Sequence, residues 1–134
     1  MPLIEELGTF LDSESTRFAL GSSLYLNWLP PEPRTAASLT ETGGLPPVHT
    51  FGGDLPKYER QRVQLICRSS SSTKARANMN DAWFQLQEVA NETLSSRTWL
   101  RVSAVQSPFS LGQDDQGNTL FAANFDCVRA TTAV

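Results

Sequence analysis

Apolar side chains recur at three- and four-residue spacing in two stretches of this chain and in alternation in several others. Residues 2–15 set Leu3, Ile4, Leu7, Phe10 and Leu11 on one helical stripe, with Pro2 early and Glu5 and Glu6 near the positive end of the helix dipole. A second stripe of Ala75, Met79, Ala82, Trp83, Leu86, Val89 and Ala90 follows a serine-rich cap at 69–73. It predicts a helix over 73–92 of roughly five turns.

Between and after these, the period is two. Leu24, Leu26 and Trp28 share one face of a strand that the Pro30-Pro31-Glu32-Pro33 run stops. A weaker strand over 36–42 has only Ala37 and Leu39 facing inward. Val63, Leu65 and Cys67 alternate with Arg62, Gln64 and Ile66 in the clearest strand of the chain, over 60–68. From Leu94, the set Trp99, Arg101, Ser103 and Val105 opposes Leu100, Val102 and Ala104, and 120–128 forms the last strand ahead of a tail expected to fray. The predicted order is α-β-β-β-α-β-β. This is a single α+β domain, with two helices packed on one face of a mainly antiparallel or mixed sheet.

Two Gly- and Pro-rich segments, 42–56 and 106–118, do not fit either period throughout. Each still carries bulky apolar residues: Leu45, Val48, Phe51 and Leu55 in the first, Phe109 and Leu111 in the second. Disordered linkers are poor in such residues, and loops this long in a compact domain are usually functional. They read as arms that order by burying those side chains against another protein. In the first, Gly43, Gly44, Pro46, Pro47 and His49 are candidate interface positions; in the second, Pro108, Asp114 and Asp115 join the two apolar residues.

At 134 residues the chain is long enough to build one core without a staple. Its net charge of −3 and the lack of any long Lys/Arg cluster exclude sequence-specific nucleic-acid binding as an expectation. No stretch approaches a membrane span. The first residues lack a basic region followed by an apolar run, which predicts a chain made in the cytosol. Cys67 and Cys127 each sit inside an apolar run and read as buried free thiols.

Candidate chemistry is sparse. None of the nucleotide-binding, zinc-protease or nucleophile-elbow motifs occurs. His49 is the sole side chain with an ordinary pKa near neutrality, and a small hydrolase built on it is the enzymatic alternative. Asp114 and Asp115 are adjacent, so on an extended backbone they diverge, and with Gly117 and Asn118 they form a turn. Arg60, Arg62 and Arg68 decorate the polar face of their strand and suit either a solvated face or ion pairing across a subunit boundary. Trp28, Trp83 and Trp99 are expected in the core.

Three stretches are distinctive together: Glu41-Thr-Gly-Gly-Leu-Pro-Pro-Val-His-Thr-Phe-Gly-Gly53, Tyr58-Glu-Arg-Gln-Arg-Val-Gln-Leu-Ile-Cys-Arg68, and Gln106-Ser-Pro-Phe-Ser-Leu-Gly-Gln-Asp-Asp-Gln-Gly-Asn-Thr-Leu-Phe121 with Asn124-Phe125. In this order they resemble the phage minor capsid or tail-terminator family. The resemblance implies a structural virion subunit, made in the host cytoplasm, that forms a ring, typically six-membered, on the last ring of the tail tube. Such a ring ends tube polymerisation and offers a docking face to the head-completion (stopper) protein of the connector. It implies no catalytic residue and no cofactor, and genomic DNA passes its channel without being read. Another neck or tail-completion protein of similar fold is the alternative. The acidic balance of the chain suggests a channel that repels phosphates.

Overall fold

The structure is a computed structural model and describes residues 2–15, 17–48, 58–94 and 97–131, with the backbone alone at 45–48. Helix α1 (Leu3–Glu14) leads into β1 (Leu24–Leu26), β2 (Ala36–Val48) and β3 (Tyr58–Ser69), followed by α2 (Ser72–Leu86). The chain then forms β4 (Ala90–Leu94), β5 (Arg97–Ala104), β6 (Phe109–Gln113) and β7 (Thr119–Ala130). One mixed sheet runs β1-β2-β3-β7-β5-β4, with β6 paired to β7 in line with β5. Among these strands β1 and β2 pair in parallel and the other pairings are antiparallel. The expected α+β order is kept, with two short strands added.

Both helices cover one face. Helix α2 packs on β3, β5 and β7, while α1 lies against β1, β2, β4 and α2. The core follows from alternation: Leu39, Val63, Leu65, Cys67, Ala123, Phe125 and Cys127 point from the central strands toward Met79, Ala82 and Leu86 of α2 and Leu3, Leu7 and Leu11 of α1. Each large side chain buried this way stabilises the fold by about 1.5–3 kcal/mol, which outweighs the modest helix propensity of two short helices. Ser71 caps α2, its hydroxyl accepting from the Lys74 N–H at 3.3 Å.

Several expectations are corrected. Helix α2 stops at Leu86, not 92, because the chain turns through Val89 and a left-handed Asn91 (φ 52°) into β4. Strand β4 carries exposed polar residues and so shows no period of two. The segment 42–48 is not a loop: its backbone continues β2, paired to β3 as far as Val48↔Tyr58. Register shifts between Glu41 and Gly44 and between Leu45 and Val48 absorb the glycines and the two prolines, which cannot donate to a ladder. Part of the second segment, Phe109–Gln113, is likewise strand. Residues 105–108 bend the chain, and β6 then continues the line of β5 along β7 to a turn at 114–118.

A bulge also changes the reading of β5. The register with β7 shifts between Trp99 and Arg101, so Trp99 and Val102 both face the core while Arg101 is exposed. Strict alternation puts Trp99 and Val102 on opposite faces, and the extra residue reverses that. Of the three tryptophans, Trp99 is fully buried, Trp83 packs partly against the core, and Trp28 is 60% exposed, against expectation.

Candidate assembly surface

Strand β3 alternates between the core and the opposite, helix-free face of the sheet. Register fixes that face row by row: Arg60 beside Val128 and Arg101, then Arg62 beside Asp126 and Ser103, then Gln64 beside Asn124. Arg62 donates to the Asp126 carboxylate at 2.8 Å, with both side chains partly exposed. Arg60 and Arg62 thus stand on an open sheet face.

Arg68 does not. It is 6% exposed, and its guanidinium donates to the backbone carbonyls of Pro30 (2.7 Å), Pro33 (2.6 Å) and Arg34 (3.0 Å). It clamps the proline-rich loop over its end of the sheet, so its expected contact with another subunit is replaced by one within its own chain. Five donors in a fixed fork make arginine suited to gathering several carbonyls.

At the root of the first arm, Gly43 adopts φ +103°, and a side chain on Gly44 would run into the Arg60 carbonyl oxygen. Both glycines therefore serve the bulge itself. The side chains of Leu45, Pro46, Pro47 and Val48, and all of His49 and Phe51, lie outside the described residues. The hydrolase alternative on His49 gains no geometry from the structure. Among the described residues, no cluster of His, Cys, Asp or Glu is placed to hold a metal ion, and no helix is long and apolar enough to cross a membrane.

In the second arm, Pro108 just before β6 and Phe109 at its start are half-buried, with Phe109 opposite Ala122, whereas Leu111 is 49% exposed. Asp114 closes the turn as its carboxylate accepts from the Gln116 and Asn118 N–H groups and from the Asn118 amide. The Asn118 side chain first, and then these backbone donors, hold its pKa below the usual carboxylate range. Asp115 is exposed. Burial pushes the Cys127 thiol up to about 12, with Asp126 adding to the effect, and moves Cys67 further still.

A family model described as bacteriophage tail terminator protein matches residues 6–131. The chain belongs to the bacteriophage tail terminator family. This makes it a structural protein of a phage-type virion tail. Among solved structures, a chain from "Virion of native gene transfer agent (GTA) particle" superposes with a TM-score of 0.68 at 15% identity, covering 96% of this chain and 94% of that one. At that identity the likeness establishes a shared fold. Curated proteins provide no match.

Two features of this tail terminator were not read from its sequence. Phe84 is 65% exposed on the outer side of α2, stacked edge-on against Trp83 at 5.2 Å, and Trp83 donates to the Gln106 carbonyl beside the exposed Val105. The exposed Trp28 and the half-buried Tyr25 form a second edge-to-face pair at 6.2 Å. The signal for Phe84 was available: it falls off the buried stripe of its own helix. The other is a buried charge network around Glu6, which sequence spacing assigned to the helix dipole alone.

Proposed function

We propose that copies of this chain close into a ring, typically six-membered, on the last ring of a tail tube, stop its polymerisation and offer a docking face to the head-completion protein. The observation that carries the reading is the family match over 6–131. The apolar clusters of Phe84, Trp83 and Val105 and of Trp28 and Tyr25 support it, because contiguous apolar side chains left at the surface of a small domain suit contact surfaces. A ring of identical subunits joins two different surfaces of the same chain. Several separate apolar patches suit that requirement better than one. The protein acts by assembly, with no catalysed reaction and no cofactor, and DNA passes through the ring unread.

The test is polymerisation of the tail tube protein with and without this chain. With it, tubes stop at a bounded length and carry a terminal ring visible by electron microscopy; without it, they run on and fail to join heads. Identical tube-length distributions in both conditions refute the proposal.

A further inference from the structure

The helix-free face of the sheet carries three guanidinium groups in two adjacent rows, Arg60 and Arg101 flanking Val128, and Arg62 beside Asp126. Neighbouring strands are about 4.8 Å apart and alternate residues of one face about 7 Å apart, so the three lie within one small patch. Asp126 is the one carboxylate in those rows, and Arg62 takes it. The patch is therefore cationic on a chain whose net charge is −3.

The compensating negative charge is concentrated on the other side. Helix α1 exposes Glu5, Asp12 and Glu14, and the turn and strand after α2 expose Glu88 and Glu92; neither α1 nor residues 87–94 contain a Lys or Arg. None of these five carboxylates has an ion-pair partner among the described residues. Asp12 and Glu14 stand in the last turn of α1, where the backbone carbonyls repel an anion. Glu14 and Glu92 line an open cleft of about 230 Å³ between α1 and β4, and β4 is the last strand of the sheet. Among the described residues the cation that approaches this cleft is Arg97, 3.8 Å from the Glu6 carboxylate on its wall, and it pairs with none of the five.

We infer that the acidic flank of one copy, formed by the end of α1 and β4, docks on the arginine-bearing sheet face of a second copy. The inference rests on the ring reading and specifies which surfaces meet. The two surfaces lie on opposite sides of the sheet, so the contact is head-to-tail and propagates around a ring. Guanidinium forks match carboxylates in geometry as well as charge. Complementary potentials of this kind act strongly on association rate and lose strength in salt.

Charge reversal tests it. One variant carries Glu14→Arg and Glu92→Arg, a second carries Arg60→Glu and Arg101→Glu, and a third carries all four. Thermal melts establish that each folds, with Glu14→Gln/Glu92→Gln and Arg60→Gln/Arg101→Gln held as milder pairs. Native mass spectrometry and sedimentation, in low and high salt and with the tail tube protein present, read assembly. The first two variants should each lose association at least tenfold. Their equimolar mixture and the fourfold variant should regain it, because every reversed flank then meets a reversed face. Wild-type rings that the reversals leave unchanged, or a mixture that does not recover, overturn the inference and leave the ring standing. Duplex DNA binding lost in Arg60→Glu/Arg101→Glu with assembly intact assigns the face to phosphate and also overturns it. A wild type that stays monomeric on the tube overturns the ring reading itself.

Discussion

Replacing Arg129 should unfold this protein more readily than any surface change, because Arg129 neutralises a buried carboxylate. The Glu6 side chain is fully buried. One of its oxygens accepts from the Trp99 indole N–H at 2.8 Å, and the other lies 3.0 Å from the Arg129 guanidinium. Arg129, 4% exposed, also pairs with Glu59, while Arg97 approaches Glu6 only to 3.8 Å. The group ties α1 to β5, to the end of β7 and to the start of β3 beside the root of the first arm. Arg129→Met fills similar volume but leaves Glu6 facing the core with one distant cation. Removing one partner of a buried pair typically costs about 3–5 kcal/mol. Domains of this kind are stable by about 5–15 kcal/mol, so roughly a fifth or more of the total is at stake.

Urea denaturation of the isolated chain, followed by tryptophan fluorescence, reads the loss as a fall in midpoint at constant slope. The double variant Glu6→Gln/Arg129→Met removes the Glu6–Arg129 pair and should cost clearly less than the sum of its single changes, because the fully buried carboxylate is no longer left as an ion and the group that still loses its partner, Glu59, is 26% exposed. An Arg129→Met cost below about 1 kcal/mol is what an exposed pair would give. That result, or strict additivity in the cycle, would show that the Glu6 site is not a buried ion pair.

The two thiols should resist Ellman's reagent in the folded protein and react together only as it unfolds, since both are buried with their pKa values raised; one thiol reacting under native conditions would contradict that burial. Gly44→Ala should lower the urea midpoint by an amount typical of overpacking, about 1–3 kcal/mol, since the obstacle is the Arg60 backbone carbonyl and no side chain can swing aside; an unchanged midpoint would mean that the bulge gives way freely. Asp114 has a depressed pKa, so the stability it confers is present above the unfolded value near 3.9 and is lost as the pH falls through the folded one. The Gln116 and Asn118 amide resonances should therefore shift below about pH 4 in the wild type and not in Asp114→Asn, and matching titrations would remove Asp114 from the turn. Phe84→Ser and Leu111→Ser, at exposed positions, should leave the melting temperature of the isolated chain nearly unchanged while weakening ring assembly; a large drop in monomer stability would place them in the core instead.

What was legible in the sequence was the part of the fold that buries one face and wets the other. Strand β3 announces itself because Val63, Leu65 and Cys67 all turn inward, and the stripe of α2 does the same at helical spacing. Strand β4 is invisible by that criterion, since a polar edge strand is defined by its neighbour's hydrogen bonds and not by its own side chains. Strand β6 and the far half of β2 were hidden by Gly112, Gly43, Gly44 and the Pro46–Pro47 pair, residues that ordinarily end strands and here sit at register shifts within them. Trp28 and Trp99 look alike as aromatic residues in alternating runs; only the stop of β1 at Leu26 separates the exposed one from the buried one.

The assembly surface was harder to read for a physical reason. Alternation says that Arg60 and Arg62 share a face, but it cannot say that Arg101 joins them, because that depends on a bulge two strands away. Nor can it separate Arg68 from its neighbours on the same strand, since the difference lies in a proline-rich loop that delivers three carbonyls to one guanidinium. Charge on a strand acquires its role from what the sheet and its loops bring opposite it. The same residue type on one face of β3 is thus an internal clamp at one end, where Arg68 gathers three loop carbonyls, and a solvent-facing charge at the other, where Arg62 is 41% exposed and paired with Asp126.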